Sequence, residues 1–233
     1  MSRYAIVLVE GYHDRAFWSG WLTARGWVSA KGALDPSGKK VEGGRFAFRR
    51  GESFAVVMPC DGWSNIPSIF KTHVKAAQSP ETGQIDHLIP CFDHDIAGKD
   101  HAASIRDRFQ EVIGFRPPSG ASWTHAGIRV DILHFRATSA SFGPQLDGLV
   151  AECYDRAYPD RTQSVAAWTS NLPSPPQKTD KQTMWAIMAG WYAAKGCEAF
   201  LQESIWSDAR MRQELERALE ELGIAAVVAA MES

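Results

Sequence analysis

Short apolar runs alternate with amphipathic stretches over roughly the first 135 residues of the chain. Three runs are bounded by turn residues and predict buried strands, at residues 4–9, 53–58 and 86–92. Three stretches repeat apolar residues at helical spacing and predict helices, at residues 12–25, 65–77 and 97–112. Strands that alternate with helices in this way predict an α/β fold with a mainly parallel sheet flanked by helices.

The pattern changes after residue 138. Up to that point we predict an α/β domain, residues 1–138, which ends with a fourth strand at 128–135 and contains a Gly-rich hairpin insertion at about 29–52. Residues 139–233 are predicted to form a mostly helical C-terminal extension. Its helices are expected at 145–155, 180–194 and 207–222.

Tryptophan is abundant, with nine residues, and invites a role in stacking on nucleobases. Trp18, Trp21, Trp185 and Trp191 fall on the apolar stripes of predicted helices, however. We therefore predict that these four side chains lie mostly in the core.

The amino-acid composition indicates a globular protein and does not indicate an activity. The chain has 233 residues, of which 45% are apolar and 22% charged, values typical of a globular domain. It contains no uncharged apolar run long enough to span a bilayer, so we expect no membrane contact. The four cysteines are scattered, which indicates buried thiols and a cytoplasmic location. The net charge of -2 neither supports nor excludes a nucleic-acid partner.

Carboxylates follow two of the predicted strands. Glu10 comes directly after the first strand, and Asp93 and Asp95 come at the end of the third. Because ligands of parallel sheets bind beyond the carboxyl ends of strands, these side chains are expected to converge. Clustered carboxylates repel one another unless a cation joins them, and hard oxygen ligands favour Mg²⁺, with Mn²⁺ as an alternative. Asp14 is either a further ligand or an acidic residue that charges the first turn of the next helix.

Glycines and a lysine beside these carboxylates suit a phosphate ligand. Gly11 and Gly98 would let the backbone approach a phosphate closely. Lys99 is positioned to contact the same group, although a solvated lysine is the commoner case. We therefore predict substrate contacts at these three residues.

Two segments resemble the signatures of the Toprim domain, a metal-binding module of primases, topoisomerases, OLD-family nucleases and small RNA-maturation proteins. Residues 10–14 (Glu-Gly-Tyr-His-Asp) resemble the first signature, and residues 93–103, which open with Asp-His-Asp-Ile-Ala-Gly, resemble the second. The resemblance covers about residues 3–136. It implies acid/base work and metal binding at Glu10 and metal binding at Asp93 and Asp95.

The resemblance extends to a pair in the C-terminal part, Asp180-Lys181, which is similar to an Asp-Lys pair of small Toprim relatives. It implies that Lys181 folds back over the metal and neutralises charge that develops on a phosphate. A capping aspartate beside an exposed lysine is the alternative interpretation.

The leading functional hypothesis is a Mg²⁺-dependent nuclease or phosphodiester hydrolase that acts on DNA or RNA. A chain of 233 residues leaves no room for the further domains of a topoisomerase or primase, so we expect a small stand-alone Toprim protein. One alternative is a non-catalytic or partner-dependent binding module in a nucleic-acid defence or repair system, with a protein partner or a homodimer. A phosphatase that uses Asp93 as nucleophile is the other alternative.

Overall fold

The structure is a computed structural model, and it describes residues 3–43, 46–78, 85–94, 101–118, 122–171, 173 and 180–232. Eight strands lie within these ranges: β1 (Tyr4–Val9), β2 (Val28–Ser29), β3 (Ala47–Arg50), β4 (Ser53–Pro59), β5 (His87–Asp93), β6 (Trp123–His125), β7 (Ile128–Val130) and β8 (Leu133–Phe135). The α-helices of the same ranges are α1 (Tyr12–Ala24), α2 (Ile66–Ala77), α3 (His101–Ile113), α4 (Leu146–Ala157), α5 (Pro159–Ser170), α6 (Asp180–Ile187), α7 (Cys197–Ala199), α8 (Ile205–Ser207), α9 (Ala209–Glu221) and α10 (Ile224–Glu232). A 3-10 turn (Trp63–Asn65) and two π-helical segments (Met188–Tyr192 and Phe200–Ser204) complete them.

The strands form one mixed, mostly parallel sheet with the order β2-β3-β4-β1-β5-β7-β6, and β8 also pairs with β5. β1 is central and parallel to both β4 and β5. β5 is in turn parallel to β7 and β8. The antiparallel pairs lie toward the two edges, between β2, β3 and β4 on one side and between β6 and β7 on the other. The predicted α/β fold with a mainly parallel sheet is confirmed.

Both faces of the sheet are covered, which explains why the central strands are continuously apolar. Every residue of β1 is buried. Val7 and Val9 belong to the core cluster that contains α1 and the C-terminal helices, whereas Ile6 and Leu8 belong to the cluster that contains α2 and α3. Successive residues of a strand point to opposite faces, so β1 contributes to both layers.

The C-terminal helices and α1 share one core. Phe17 and Trp18 of α1 are fully buried, and the Phe17 ring lies 5.1 Å from the Trp206 ring of α8 and 5.2 Å from the Phe135 ring of β8. Buried residues of α4, α9 and α10 belong to the same cluster. The helical region after residue 145 therefore supplies one of the two layers that cover the sheet. No helix in the described ranges combines the length and apolar character needed to cross a lipid bilayer.

The predicted fourth strand at 128–135 is wrong in one respect, because it is two short strands, β7 and β8, that pair with β5 on either side of a gap. Leu88 pairs with Val130 and Cys91 pairs with Leu133, so the gap falls opposite Ile89 and Pro90. The Asp131 amide donates to the Leu88 carbonyl, so the backbone N–H and C=O groups of the even-numbered β5 residues point toward β7 and β8. Pro90 has no N–H to donate there, and the ladder is interrupted.

The predicted burial is also wrong for Trp185 and Trp191, which are 48% and 39% exposed, whereas Trp18 and Trp21 are buried as predicted. Met184, Ile187 and Met188 occupy the buried face of this segment, and their spacing turns Trp185 toward solvent.

Other element predictions need smaller corrections. The helix predicted at 180–194 is α-helical only to Ile187 and continues as the π-helical segment Met188–Tyr192. Within the predicted hairpin insertion, β3 covers Ala47–Arg50. Helices α5 and α10 were not predicted; Val165 is the one residue that α5 buries in the core, too weak a pattern to reveal a helix.

The close approach of α1 to the helical layer depends on Gly20. A Cβ atom at this position would lie 2.3 Å from Trp206 Cδ1 and 2.5 Å from the Gln202 carbonyl oxygen. We expect Gly20→Ala to lower the free energy of unfolding by about 1–3 kcal/mol, because the helices must separate.

Gly190→Ala is the matched control, since a Cβ atom there would meet nothing within 4 Å. Urea denaturation measures both variants, and the control is expected to unfold at the same urea concentration as the unsubstituted protein or a higher one. Equal stability of the two variants would contradict the packing described for α1.

Candidate functional site

The candidate site lies at the point where the chain reverses its path across the sheet. From β1 the chain passes to β4 on one side, and from β4 it crosses over β1 to β5 on the other side. Parallel sheets bind ligands in the crevice at such a reversal, beyond the carboxyl ends of the strands. Glu10 follows β1 and Asp93 ends β5, so both predicted carboxylates lie at this crevice.

A cavity of about 430 Å³ occupies the crevice. It brings together five of the predicted site residues: Glu10, Gly11, Asp14, Asp93 and Lys181. Its remaining lining residues are Tyr12, His13, Gly62, Gln145, Leu146 and Asp147. The predicted residues Asp95, Gly98 and Lys99 lie outside the described residues.

Backbone amides hold the two central carboxylates in place. The Asp93 amide donates a hydrogen bond to Glu10 Oε1 at 2.9 Å. The Leu146 amide, in the first turn of α4, donates to Asp93 Oδ1 at 2.9 Å. The partial positive charge of a helix N-terminus favours a carboxylate at this place. Three separate elements, β1, β5 and α4, are therefore joined through Glu10 and Asp93.

Asp14 both stabilises the first turn of α1 and lines the cavity of the candidate site. Its Oδ2 atom accepts a hydrogen bond from the Gly11 amide at 2.8 Å, which closes the first turn of α1. Gly11 is extended, with φ -147°, a conformation that any residue can adopt. A phosphate bound at the Gly11 amide would have to displace Asp14, so the predicted substrate role of Gly11 is restricted to contacts that leave this bond intact.

The loop after β4 closes the cavity with strained backbone. Asp61 has φ 55° and Gly62 has φ 109° and ψ 152°, a region that is essentially restricted to glycine. The Gly62 amide donates to the Glu10 carbonyl at 2.8 Å. The turn thus folds back over the end of β1 and places Gly62 against the acidic residues.

Burial and mutual repulsion shift the protonation of the acidic residues. Burial raises the pKa of Glu10 to about 7, and the charge of Asp93 adds to the shift. Burial likewise raises the pKa of Asp14 to about 7; the Gly11 amide opposes this shift, and the charges of Glu10 and Asp147 add to it. Because burial and neighbouring charges both raise these pKa values, ionisation of all the carboxylates at the same time is unfavourable.

Lys181 and Asp147 enter the cavity from the C-terminal part. Asp180 accepts a hydrogen bond from the Gly143 amide, and this bond fixes the first turn of α6 and with it the position of Lys181. Burial raises the pKa of Asp147, while the charges of Lys181 and His13 oppose that shift. The predicted proximity of Lys181 to the carboxylates agrees with this placement.

Sequence reasoning missed Asp147, Gln145 and Gly62. Asp147 lies in the first turn of a predicted helix, where an acidic residue is commonplace. Its proximity to Glu10 and Asp93 follows from the docking of α4, which no local pattern reveals.

The donors around the cavity are of the type that hard divalent cations prefer. Glu10, Asp14, Asp93 and Asp147 supply carboxylate oxygens, and His13 lines the same cavity. Among the residues that the structure describes, no three acidic, His or Cys side chains are already arranged as a metal-binding group. The chemistry of the donors fits Mg²⁺, while the ligand set would also draw on the undescribed Asp95.

Comparison with known proteins gives information on the fold alone. No family model matches the chain, and no curated protein matches it. Among solved structures, the chain is similar to the crystal structure of a hypothetical protein from Pyrococcus horikoshii, with a TM-score of 0.70 and 17% sequence identity. The similarity covers 99% of this chain and 100% of that one. At this identity the likeness extends to the fold alone, and the Toprim resemblance stays a prediction.

The raised pKa values predict how the metal-free protein responds to pH. Glu10 and Asp14 bind protons more tightly when folded than when unfolded. Their contribution to stability is therefore fully present below about pH 4 and is lost as the pH rises through about 7. In a chelator, we expect the free energy of unfolding to fall by about 1–3 kcal/mol between pH 5 and pH 8.

Glu10→Gln keeps an acceptor for the Asp93 amide and removes the charge, so its stability should depend less on pH. Urea denaturation across this pH range makes the comparison. A Glu10→Gln variant that loses as much stability as the unsubstituted protein would contradict the electrostatic description.

Proposed function

We propose that the protein is a Mg²⁺-dependent phosphodiester hydrolase that acts on nucleic acid. The observation that carries this proposal is the convergence of Glu10, Asp93 and Lys181 on one cavity at the carboxyl ends of β1 and β5. Carboxylates with a facing ammonium group suit the binding of a cation together with a phosphate. The resemblance to the two Toprim signatures implies metal-binding roles for Glu10 and Asp93, and the Asp180-Lys181 pair implies a charge-neutralising role for Lys181.

Asp93 and Glu10, with Asp14 and Asp147 beside them, would hold the cation, and Asp95 is proposed as a further ligand. When bound, Mg²⁺ would supply charge stabilisation at the phosphate and lower the pKa of a bound water. The Leu146 amide orients Asp93 and the Asp93 amide orients Glu10, so these residues are positioned before substrate arrives.

The proposed reaction is hydrolysis of one P–O ester bond. Water adds to phosphorus, the bond to the leaving oxygen breaks, and one proton from water ends on that oxygen. The products are a phosphate monoester and an alcohol. Oε1 of Glu10 is engaged by the Asp93 amide, so we assign proton transfer to Oε2.

Lys181 would stabilise the negative charge that develops on the phosphate oxygens. It is exposed at the first turn of α6, where its ammonium group opposes the pKa shift of Asp147. Lys99 and Gly98 are proposed as further substrate contacts.

We also propose a cytoplasmic location, because all four cysteines are free thiols. The rival hypothesis, a binding module that acts only with a protein partner or as a homodimer, shares the same metal site. Cleavage by the purified protein decides between them.

Charge-removing variants test the proposal. Supercoiled DNA, single-stranded DNA and structured RNA would be incubated with Mg²⁺, Mn²⁺ or a chelator. We expect Glu10→Gln and Asp93→Asn to lower the cleavage rate by about 100-fold or more, since each removes a metal ligand or proton acceptor. Lys181→Ala should lower the rate by about 10- to 100-fold.

Glu220→Gln is the control, because Glu220 is exposed on α9 and does not line the cavity. It should cleave at the rate of the unsubstituted protein. Circular dichroism verifies that each variant is folded. Cleavage by Glu10→Gln and Asp93→Asn at the unsubstituted rate would refute the proposal, and metal binding without any cleavage would favour the binding module.

A further inference from the structure

An exposed aromatic ring stands at the mouth of the site. Tyr12 lines the cavity and is 53% exposed. The Arg15 guanidinium lies 4.7 Å from the centre of its ring. Arg15 is itself fixed by an ion pair with Glu198 at 2.7 Å and by the Phe46 ring at 3.7 Å. Tyr12 therefore presents a supported ring to solvent directly beside the carboxylates.

A second exposed ring lies one helical turn beyond Lys181. Trp185 is 48% exposed and occupies the position four residues after Lys181 on α6, so the two side chains share one face. Helical side chains lean toward the N-terminus of their helix, which carries the Trp185 ring back toward Lys181. Among the described residues, the Trp185 ring stacks on no other aromatic ring.

Exposure of both rings has a cost that a ligand would offset. Tyr and Trp side chains bury large apolar areas when a ligand packs against them, and a ligand here would lie next to Lys181, the proposed phosphate contact. Nucleobases have the flat apolar faces that suit such rings. In a duplex those faces are covered by neighbouring base pairs, so only an unpaired strand offers them.

The charge of the chain also favours an unpaired strand over a duplex as the ligand. Duplex binding relies on neutralising many phosphates with lysine and arginine. This chain has a net charge of -2, and among the described residues its cavity is lined by four acidic residues and a single lysine. A ligand held by stacking needs fewer cationic contacts than a duplex does.

We infer that the ligand of this site is a single-stranded nucleic acid, with bases stacked on Tyr12 and Trp185 on either side of the phosphate held at Lys181. This inference rests on the proposed function and names its substrate class. Tyr12 and Trp185 act as positioning residues, which set the strand against the carboxylates without entering the reaction.

Binding tests this inference separately from cleavage. Fluorescence anisotropy would measure the dissociation constants of labelled oligothymidylate, oligouridylate, an abasic strand of equal length and a duplex, all with the Glu10→Gln protein in Mg²⁺. We expect base-bearing single strands to bind more tightly than either the abasic strand or the duplex. The deoxy and ribo strands reveal which polymer is the ligand, and preferential binding of either supports the inference.

Variants in the same background assign the stacking. Tyr12→Leu and Trp185→Leu should each weaken single-strand binding by about 5- to 100-fold. Tyr12→Phe keeps the ring and should bind within about twofold of the parent. Trp191→Leu is the matched control, because Trp191 is also an exposed tryptophan but lies in the π-helical segment beyond α6.

Unchanged binding in Tyr12→Leu and Trp185→Leu would overturn the inference, as would equal affinity for the abasic strand or for the duplex. No binding to any strand would overturn it as well. Hydrolysis of bis(p-nitrophenyl) phosphate, which has no base, tests the proposed function on its own. Hydrolysis of this compound by the unsubstituted protein supports the proposed function even if the strand-binding experiment overturns the inference.

Discussion

Two backbone hydrogen bonds fix the position of the carboxylates on which the site depends. The Asp93 amide reaches Glu10, and the Leu146 amide reaches Asp93, so the ends of β1, β5 and α4 are held together. The first bond aims an amide dipole at Glu10, whose charge is opposed by burial and by the charge of Asp93. The second bond places Asp93 at the N-terminus of α4. The fold therefore holds Glu10 and Asp93 close together although burial and the charge of Asp93 disfavour the charge of Glu10.

The rest of the structure explains how this arrangement is maintained. β1 is buried on both faces and flanked by two parallel strands, so its carboxyl end is held on both sides. The C-terminal helices pack in the same core cluster as α1, and they contribute Asp147 and Lys181 to the cavity. The site thus combines residues from the start, the middle and the end of the chain. A fragment without the C-terminal helices would lack the lysine and one layer of the core.

The central part of this arrangement could be predicted from sequence because it depends on local patterns. Glu10 and Asp93 directly follow apolar runs, and strand ends in parallel sheets converge by geometry. Lys181 was assigned by resemblance alone, and its place at the cavity agrees with that assignment. Asp147 could not be found, because its position results from the packing of α4 in the C-terminal layer, which brings the first turn of α4 to Asp93. The exposed face of Trp185 was missed because Met184, Ile187 and Met188 compete for the buried stripe. Pro90 did carry a readable signal, since a proline in a central strand predicts the gap between β7 and β8.

Anomalous diffraction from crystals grown with Mn²⁺ would test whether Glu10 and Asp93 bind a cation, since Mn²⁺ takes the same oxygen ligands as Mg²⁺ and scatters anomalously. The account predicts a peak between the carboxylates of Glu10 and Asp93 in the unsubstituted protein and its loss in Asp93→Asn. A cavity without a peak at saturating Mn²⁺, or a peak that persists unchanged in Asp93→Asn, would contradict it.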